Sequence, residues 1–213
     1  MDAVLFDMDG VIVDTEEFWR ARERDVILPA AVVDGDPTEA DIRGVNYRET
    51  YDHLAERYEM ALDRAEFLDL YESAAADLYD TADLMPGFRD LLAALHENGV
   101  RVAIVSSSPR RWIERVVERF DLDVDVVLST EDVDGPGKPA PDVYVAAAER
   151  VDAVPEDCVA VEDSPNGVRA ATRAGAPTIA YGGDAEAVEL ADHEAPDPAA
   201  LRDVLTALGA LTE

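Results

Sequence analysis

An α/β fold with a three-layer core on a parallel sheet, interrupted by a helical insert, is what this 213-residue sequence predicts. Three observations predict it. Short apolar runs of strand length alternate with amphipathic helical stretches, the pattern of parallel strands joined by right-handed crossovers. The apolar runs lead into polar clusters. One stretch, from about Thr15 to about Leu84, breaks the alternation and carries helical periodicity without a convincing strand. The core is therefore expected over residues 1–14 and 85–213, and the insert over residues 15–84.

The first strand is Val4-Leu5-Phe6, ending at Asp7. In the insert, helical runs fall at Glu16–Val26, Arg48–Glu59 and Ala65–Tyr79, separated by Asp34-Gly35-Asp36-Pro37 and Arg43-Gly44. Trp19, Tyr47, Tyr51, Tyr58, Phe67, Tyr71 and Tyr79 supply its expected core. Beyond the insert, Phe88, Leu91, Leu92 and Leu95 repeat at helical spacing and stop at Asn98-Gly99, a C-cap signal. The second strand is Val102–Val105. Ser108-Pro109 reads as N-cap and first helical residue, with Trp112, Ile113, Val116, Val117 and Phe120 on one face. Strands follow at Val124–Leu128, Val159–Val161 and Pro177–Ala180, with Ser164-Pro165 opening another helix after the fourth. Ala191–Ala200 reads as an acidic, Pro- and Ala-rich loop before a final helix.

Composition narrows the function. The 48 acidic and 18 basic side chains leave a formal charge of −30, which disfavours phosphate backbones and anionic lipid as partners. Hydrophobic residues reach 48%, enough for a packed core. Cys158 is the only cysteine, so an intrachain disulfide and a multi-cysteine zinc site are excluded. No apolar run approaches the ~18 residues of a membrane span, and the N-terminus carries no basic leader or cleavage signal. The expectation is a soluble cytoplasmic protein, a monomer or weak dimer, with no nucleic-acid or membrane partner.

Chemistry gathers at the strand ends. Asp7-Met8-Asp9-Gly10 follows the first strand and Ser106-Ser107-Ser108 the second; Gly137-Lys138-Pro139 lies beyond the third and Glu162-Asp163-Ser164 after the fourth. In an open parallel sheet these ends face one crevice, where ligands bind. Each cluster alone has an ordinary explanation: solvated loop carboxylates, helix-capping serines, acids favouring a helix N-terminus. Lys138 is more informative, being the only lysine in a chain whose other basic residues, histidine aside, are all arginine; a lone ammonium among carboxylates indicates a required point charge. Carboxylates converging without histidine or cysteine favour a hard, oxygen-loving cation, hence Mg²⁺.

In this order the clusters resemble the haloacid dehalogenase superfamily, specifically its phosphatase and β-phosphoglucomutase-like branch, over nearly the whole chain. Asp7 to Glu16 resembles the first motif, Ser106 the second, Lys138-Pro139 the third and Glu162-Asp163 the fourth; Ser164 to Val168 and Ala174-Gly175 also resemble this branch. The resemblance implies a Rossmann-like core with a helical cap, and a phosphatase acting on a small phosphorylated metabolite such as a sugar phosphate or phosphoglycolate. It implies Asp7 as nucleophile, forming an aspartyl-phosphate, and the Asp9 side chain as general acid then base. It implies Mg²⁺ on the Asp7 carboxylate, the Asp9 carbonyl and the Asp163 carboxylate, with Glu162 orienting a metal-bound water. Ser106, the amides of Met8 and Ser107, and Lys138 would bind phosphate. Arg43 and Arg48 either grip the substrate from the cap or form surface ion pairs.

Dehalogenating relatives lack an acid two residues after the nucleophile, so Asp9 favours phosphoryl transfer. Phosphosugar mutases, the alternative within the branch, carry a histidine about twelve residues past the nucleophile, where this chain has Trp19. His53, His96 and His193 are expected on exposed helix faces or in a loop. A receiver-like signalling domain that is phosphorylated without turnover is a further alternative, opposed by the long insert and the Glu162-Asp163 pair. A silent binding protein fits least, since each expected chemical group is present.

The acidity is distributed along the chain, as in proteins of salt-loving cytoplasms, where high ionic strength screens self-repulsion. The melting temperature is therefore expected to rise steeply between low salt and molar KCl. A flat response in a thermal melt would contradict this reading.

Overall fold

A computed structural model of the chain describes residues 1–42 and 47–212. The chain separates into two compact units, one of Met1–Asp14 with Asp83–Glu213 and the other of Thr15–Ala82. In chain order the strands are β1 (Ala3–Phe6), β2 (Val13–Asp14), β3 (Val32–Asp34), β4 (Glu59–Met60), β5 (Asp83–Leu84), β6 (Arg101–Ser106), β7 (Val126–Ser129), β8 (Cys158–Glu162), β9 (Thr178–Tyr181) and β10 (His193–Ala195).

The larger unit holds a six-stranded sheet in the order β10-β9-β8-β1-β6-β7, every pair parallel. This is the doubly wound Rossmann-like order: the chain steps outward from β1 through β6 to β7, then returns to place β8 on the other side of β1. The strand order reverses between β1 and β8. Strands β1 and β8 are buried along their whole length, as parallel strands covered on both faces must be. Ala3, Leu5, Ala103, Val105 and Ala160 pack against Val143, Tyr144, Ala147 and Ala148 of the helix Asp142–Arg150 and against Ala170 and Ala171 of the helix Pro165–Ala174. The adjacent strands β2 and β5 form a separate antiparallel pair, Val13 opposite Leu84.

The five strands expected from sequence are present. A sixth, β10, lies within Ala191–Ala200, so the expectation of a loop there is corrected: β10 pairs with β9 at the sheet edge, and only Ala195 of its three residues is buried. Asn98 caps the helix Phe88–Glu97, and Gly99 follows with φ +74°. Ser164 caps Pro165–Ala174 by accepting from the Gly167 amide, with Pro165 in the first turn.

The smaller unit is mainly helical. Ile27, Leu28, Ala31, Leu54, Phe67, Tyr71 and Ala74 are buried together, with Trp19, Tyr47, Tyr51 and Tyr58 packed against them and Tyr79 also buried. Its long helix, Arg64–Thr81, opens on a capping box in which Asp63 and Glu66 exchange side-chain-to-amide hydrogen bonds. The expectation that residues 15–84 hold no strand is corrected: β3 and β4 form a short antiparallel pair, Val32 opposite Met60. The first helical run also extends further than expected. Glu16–Arg22 passes into a π-helical turn at Glu23–Ile27 and ends with Leu28–Ala31. Among the described residues no helix is long and apolar enough to cross a membrane.

Candidate active site

The site forms at the carboxyl ends of β1, β6 and β8, where the strand order reverses. Phe6 lies opposite Val161 and Ile104, so the next residue, Asp7, emerges between the ends of both neighbours; its amide donates to the Val161 carbonyl at 2.9 Å. The chain then turns sharply. The Met8 carbonyl accepts from the Ile12 and Val13 amides, and Gly10 sits at φ +77°. A Cβ on Gly10 would lie 2.1 Å from Asp163 Oδ2, so glycine is required both by backbone conformation and by the close approach of the β8 loop.

Lys138 joins the clusters. Its ammonium donates to Asp7 Oδ1 at 2.6 Å, to Glu162 Oε1 at 2.6 Å and to the Val105 carbonyl at 2.9 Å, which engages all three of its protons. The Lys138 side chain is only 5% exposed and that of Glu162 fully buried. Burial alone would lower the Lys138 pKa, but the Asp7 and Glu162 carboxylates more than offset it and hold it above the ordinary value. Burial pushes the Asp7 carboxyl up to about 8 against the pull of Lys138, with Glu162 and Asp9 adding to the rise.

Glu162 is immobilised on every side. Tyr144 donates its phenol to Oε1 at 2.5 Å, and Ser164 donates to Oε2 at 3.2 Å. Burial, with the Glu162 and Asp7 carboxylates alongside, holds the Tyr144 pKa well above that of a free phenol, so the hydroxyl remains a donor. The Tyr144 ring also lies 5.2 Å from the Lys138 ammonium. Tyr144 escaped sequence reasoning, because a single aromatic in an amphipathic helix reads as core.

One carboxylate oxygen each from Asp7, Glu162 and Asp163 lies within 4.8 Å of the others. This all-oxygen set suits a hard divalent cation. The electrostatics agree: the Lys138 ammonium contacts both Asp7 and Glu162, and the Glu162 and Asp9 carboxylates still add to the rise in the Asp7 pKa.

The phosphate-binding residues expected from sequence are partly gathered here. Ser106, 1% exposed, accepts from the Ser108 amide through Oγ at 3.0 Å, which leaves its own proton to donate. Neither the Met8 nor the Ser107 amide donates to a protein acceptor among the described residues. Ser108 departs from expectation. Pro109, not Ser108, is the N-cap of Arg110–Phe120, with no side-chain capping bond, and the Ser108 hydroxyl instead donates to Asp9 Oδ2 at 2.7 Å.

Arg43 falls outside the described residues. Arg48 is exposed on the helix Tyr47–Ala55, its Nε donating to the Tyr47 hydroxyl at 3.0 Å. Trp19 packs on Tyr71 within the helical unit, ring centroids 5.8 Å apart. His53 is half-buried, His96 lies 3.3 Å from Asp125, and His193 is exposed on β10 rather than in a loop.

A doubly wound sheet with an aspartate after β1 and a Lys–Glu–Asp cluster at the reversal of strand order defines a class of hydrolase. The chain belongs to that class: residues 1–175 match the haloacid dehalogenase-like hydrolase family. It is 34% identical over 187 residues to hexitol phosphatase B of Escherichia coli strain K12, covering 81% of this chain and 79% of that one. It is 34% identical to a phosphorylated carbohydrates phosphatase of Thermotoga maritima, covering 85% of each chain. A haloacid dehalogenase family hydrolase from Deinococcus radiodurans R1, solved with bound phosphate and sodium, superposes with a TM-score of 0.76 at 29% identity, covering 100% of this chain and 98% of that one.

Gly167 tests how tightly Glu162 is held, since a Cβ there would fall 1.9 Å from the Glu162 carboxylate. Gly167→Ala is expected to destabilise the protein by about 1–3 kcal/mol, the scale of overpacking. A lowered urea midpoint at unchanged slope would register this; an unmoved midpoint would show that Glu162 has room to shift.

Proposed function

We propose that this hydrolase is a Mg²⁺-dependent phosphatase of a small phosphorylated metabolite, a sugar phosphate or phosphoglycolate type, working through an aspartyl-phosphate. The observation that carries this reading is the buried Asp7 carboxylate, held by Lys138 beside Glu162 and Asp163 at the reversal of strand order. Phosphatase relatives at 34% identity support it.

Asp7 and Asp163 would hold the cation through their carboxylates and Asp9 through its carbonyl. Both oxygens of Glu162 already accept protein hydrogen bonds, so Glu162 would act from behind, orienting Lys138 and, with a cation bound, water near it. A divalent cation there supplies positive charge that favours ionised Asp7 and draws the anionic phosphoryl group toward it.

Asp7 attacks phosphorus, and the bond to the leaving oxygen breaks as Asp9 gives that oxygen a proton. Asp9 then takes a proton from water, which attacks the same phosphorus; the Asp7–phosphoryl bond breaks and inorganic phosphate departs. The Ser106 hydroxyl and the Met8 and Ser107 amides donate to phosphoryl oxygens as charge builds on them. Lys138 contributes charge rather than a further hydrogen bond, since its three protons are engaged.

Residues 15–84 serve in this reading as the cap that sets substrate choice, with Arg43 and Arg48 as candidate grips on the non-reacting end. Trp19, where the mutases resembling this chain carry histidine, favours hydrolysis over isomerisation. The protein would act as a monomer or weak dimer in a cytoplasm of high ionic strength.

Asp7→Asn is expected to abolish phosphate release from p-nitrophenyl phosphate and Asp9→Asn to lower it by about 10²–10⁴-fold, the usual share of acid–base catalysis. Retained turnover in Asp7→Asn would exclude the covalent route. A screen of sugar phosphates and phosphoglycolate, scoring phosphate release against isomer formation, separates phosphatase from mutase.

Cation binding has a readout apart from activity. Saturating Mg²⁺ is expected to raise the melting temperature, by about 2.7 kcal/mol of stabilisation at a hundredfold excess over Kd. The increment should vanish in Asp163→Asn. An equal shift in that variant would place the cation elsewhere.

A further inference from the structure

We propose that Ser108 is the positioning residue for the Asp9 carboxyl, and that it thereby governs how well the enzyme expels poor leaving groups; this rests on the acid–base role of Asp9 given above. The Ser108 hydroxyl donates to Asp9 Oδ2 at 2.7 Å, linking the β6 and β1 loops across 99 positions of sequence. A donor at Oδ2 makes that oxygen the acceptor and assigns the acid proton to Oδ1. No proton needs to pass through the serine; its effect is to fix the carboxyl rotamer and to divide the roles of its two oxygens.

Ser108 is itself anchored. Its amide donates to Ser106 Oγ at 3.0 Å, and its carbonyl accepts from Ser129 Oγ at 2.8 Å. Ser129, fully buried at the end of β7, donates its amide to Asp132 Oδ2 at 2.8 Å. Arg110 closes the network with a two-pronged grip on Asp132, from Nε at 3.0 Å and Nη2 at 2.7 Å, while Nη2 also reaches the Val127 carbonyl at 3.2 Å. The ends of β6 and β7 thus form a braced platform with the Ser108 hydroxyl at its tip.

The local sequence would have used this serine differently. Before Pro109 it is well suited to cap Arg110–Phe120, yet that helix begins without a side-chain cap. An N-cap contributes about 1 kcal/mol. Forgoing it for a long-range bond to the proposed catalytic acid is the kind of local inconsistency that marks a functional site.

Phenyl phosphate and p-nitrophenyl phosphate provide the test, because phenol, with a tyrosine-like pKa near 10, depends on a proton donor far more than nitrophenol does. The kcat/KM values extend only to formation of the aspartyl-phosphate and so isolate the acid step. Ser108→Ala is expected to lower kcat/KM for phenyl phosphate at least about tenfold more than for p-nitrophenyl phosphate, part of the ~10²–10⁴ available to acid–base catalysis. Ser108→Thr, which keeps the hydroxyl, is expected to restore most of the ratio; p-nitrophenyl phosphate turnover in each variant reports that the site is folded. Equal losses on both substrates, or no loss on either, would overturn the positioning role. Asp9→Asn, run alongside, should show the same leaving-group bias more strongly. Absence of that bias in Asp9→Asn would instead remove the acid role of Asp9, a result distinct from failure at Ser108 alone.

Discussion

The buried contact of Lys138 with Asp7 and Glu162 is the constraint on which the rest of the core turns. Two carboxylates and one ammonium are withdrawn from water together, and the ammonium makes each carboxylate tolerable there against their mutual repulsion. Removing the ammonium from such a buried arrangement typically costs about 3–5 kcal/mol, because uncompensated charge remains. The parallel sheet delivers the partners in register: β1 brings Asp7, β8 brings Glu162, and β6 offers the Val105 carbonyl. Neighbouring positions on a strand face opposite ways, so a one-residue slip of β1 against either neighbour would dismantle the contact. Electrostatics and sheet register therefore specify one another.

Lysine alone suits this place. An ammonium is compact and directs three protons toward three oxygens, whereas a guanidinium is planar and forked. Arginines among the described residues occupy other settings. Pairs such as Arg22 with Asp77, Arg57 with Asp41 and Arg101 with Asp152 are exposed at the surface, where an ion pair contributes about 0–1 kcal/mol. The division of labour between the two basic residues thus follows the dielectric environment: planar, well-matched partners for carboxylates outside, one point charge within.

Features carried by local pattern were legible in the sequence. Strands β1, β6 and β8 announce themselves as continuous apolar runs, and Asn98-Gly99 and Ser164-Pro165 mark helix ends by their own chemistry. Illegible features depend on distant partners or on very short pairing. Strand β10 has one buried residue in three and reads as loop, and β3 with β4 spans too few residues to show alternation. A sound local rule makes Ser108 an N-cap, and a longer-range hydrogen bond overrides it. Tyr144 lies eighteen positions from the Glu162 it clamps, with nothing in its own helix to distinguish it from core. Gly167 reads as an ordinary first-turn residue until the Glu162 carboxylate is seen to fill the space a methyl group would need.

Those missed residues share a character. Tyr144, Gly167 and Ser108 shape the surroundings of Glu162 and Asp9, whereas Asp7 and Lys138 themselves stood out. Residues that meet a substrate must be of a few chemical types in a fixed order, and the sequence displays that order openly. Residues that hold them need only supply a proton, or a gap, at the right point in space, and many side chains from many positions can do so. A buried carboxylate gains from this second set more than from further charge: desolvation already pushes Asp7 up to about 8, and fixed neighbours keep the Lys138 ammonium within 2.6 Å of it. Preorganisation of this kind, in residues whose positioning role only the folded contacts reveal, separates a working site from a mere meeting of acidic loops.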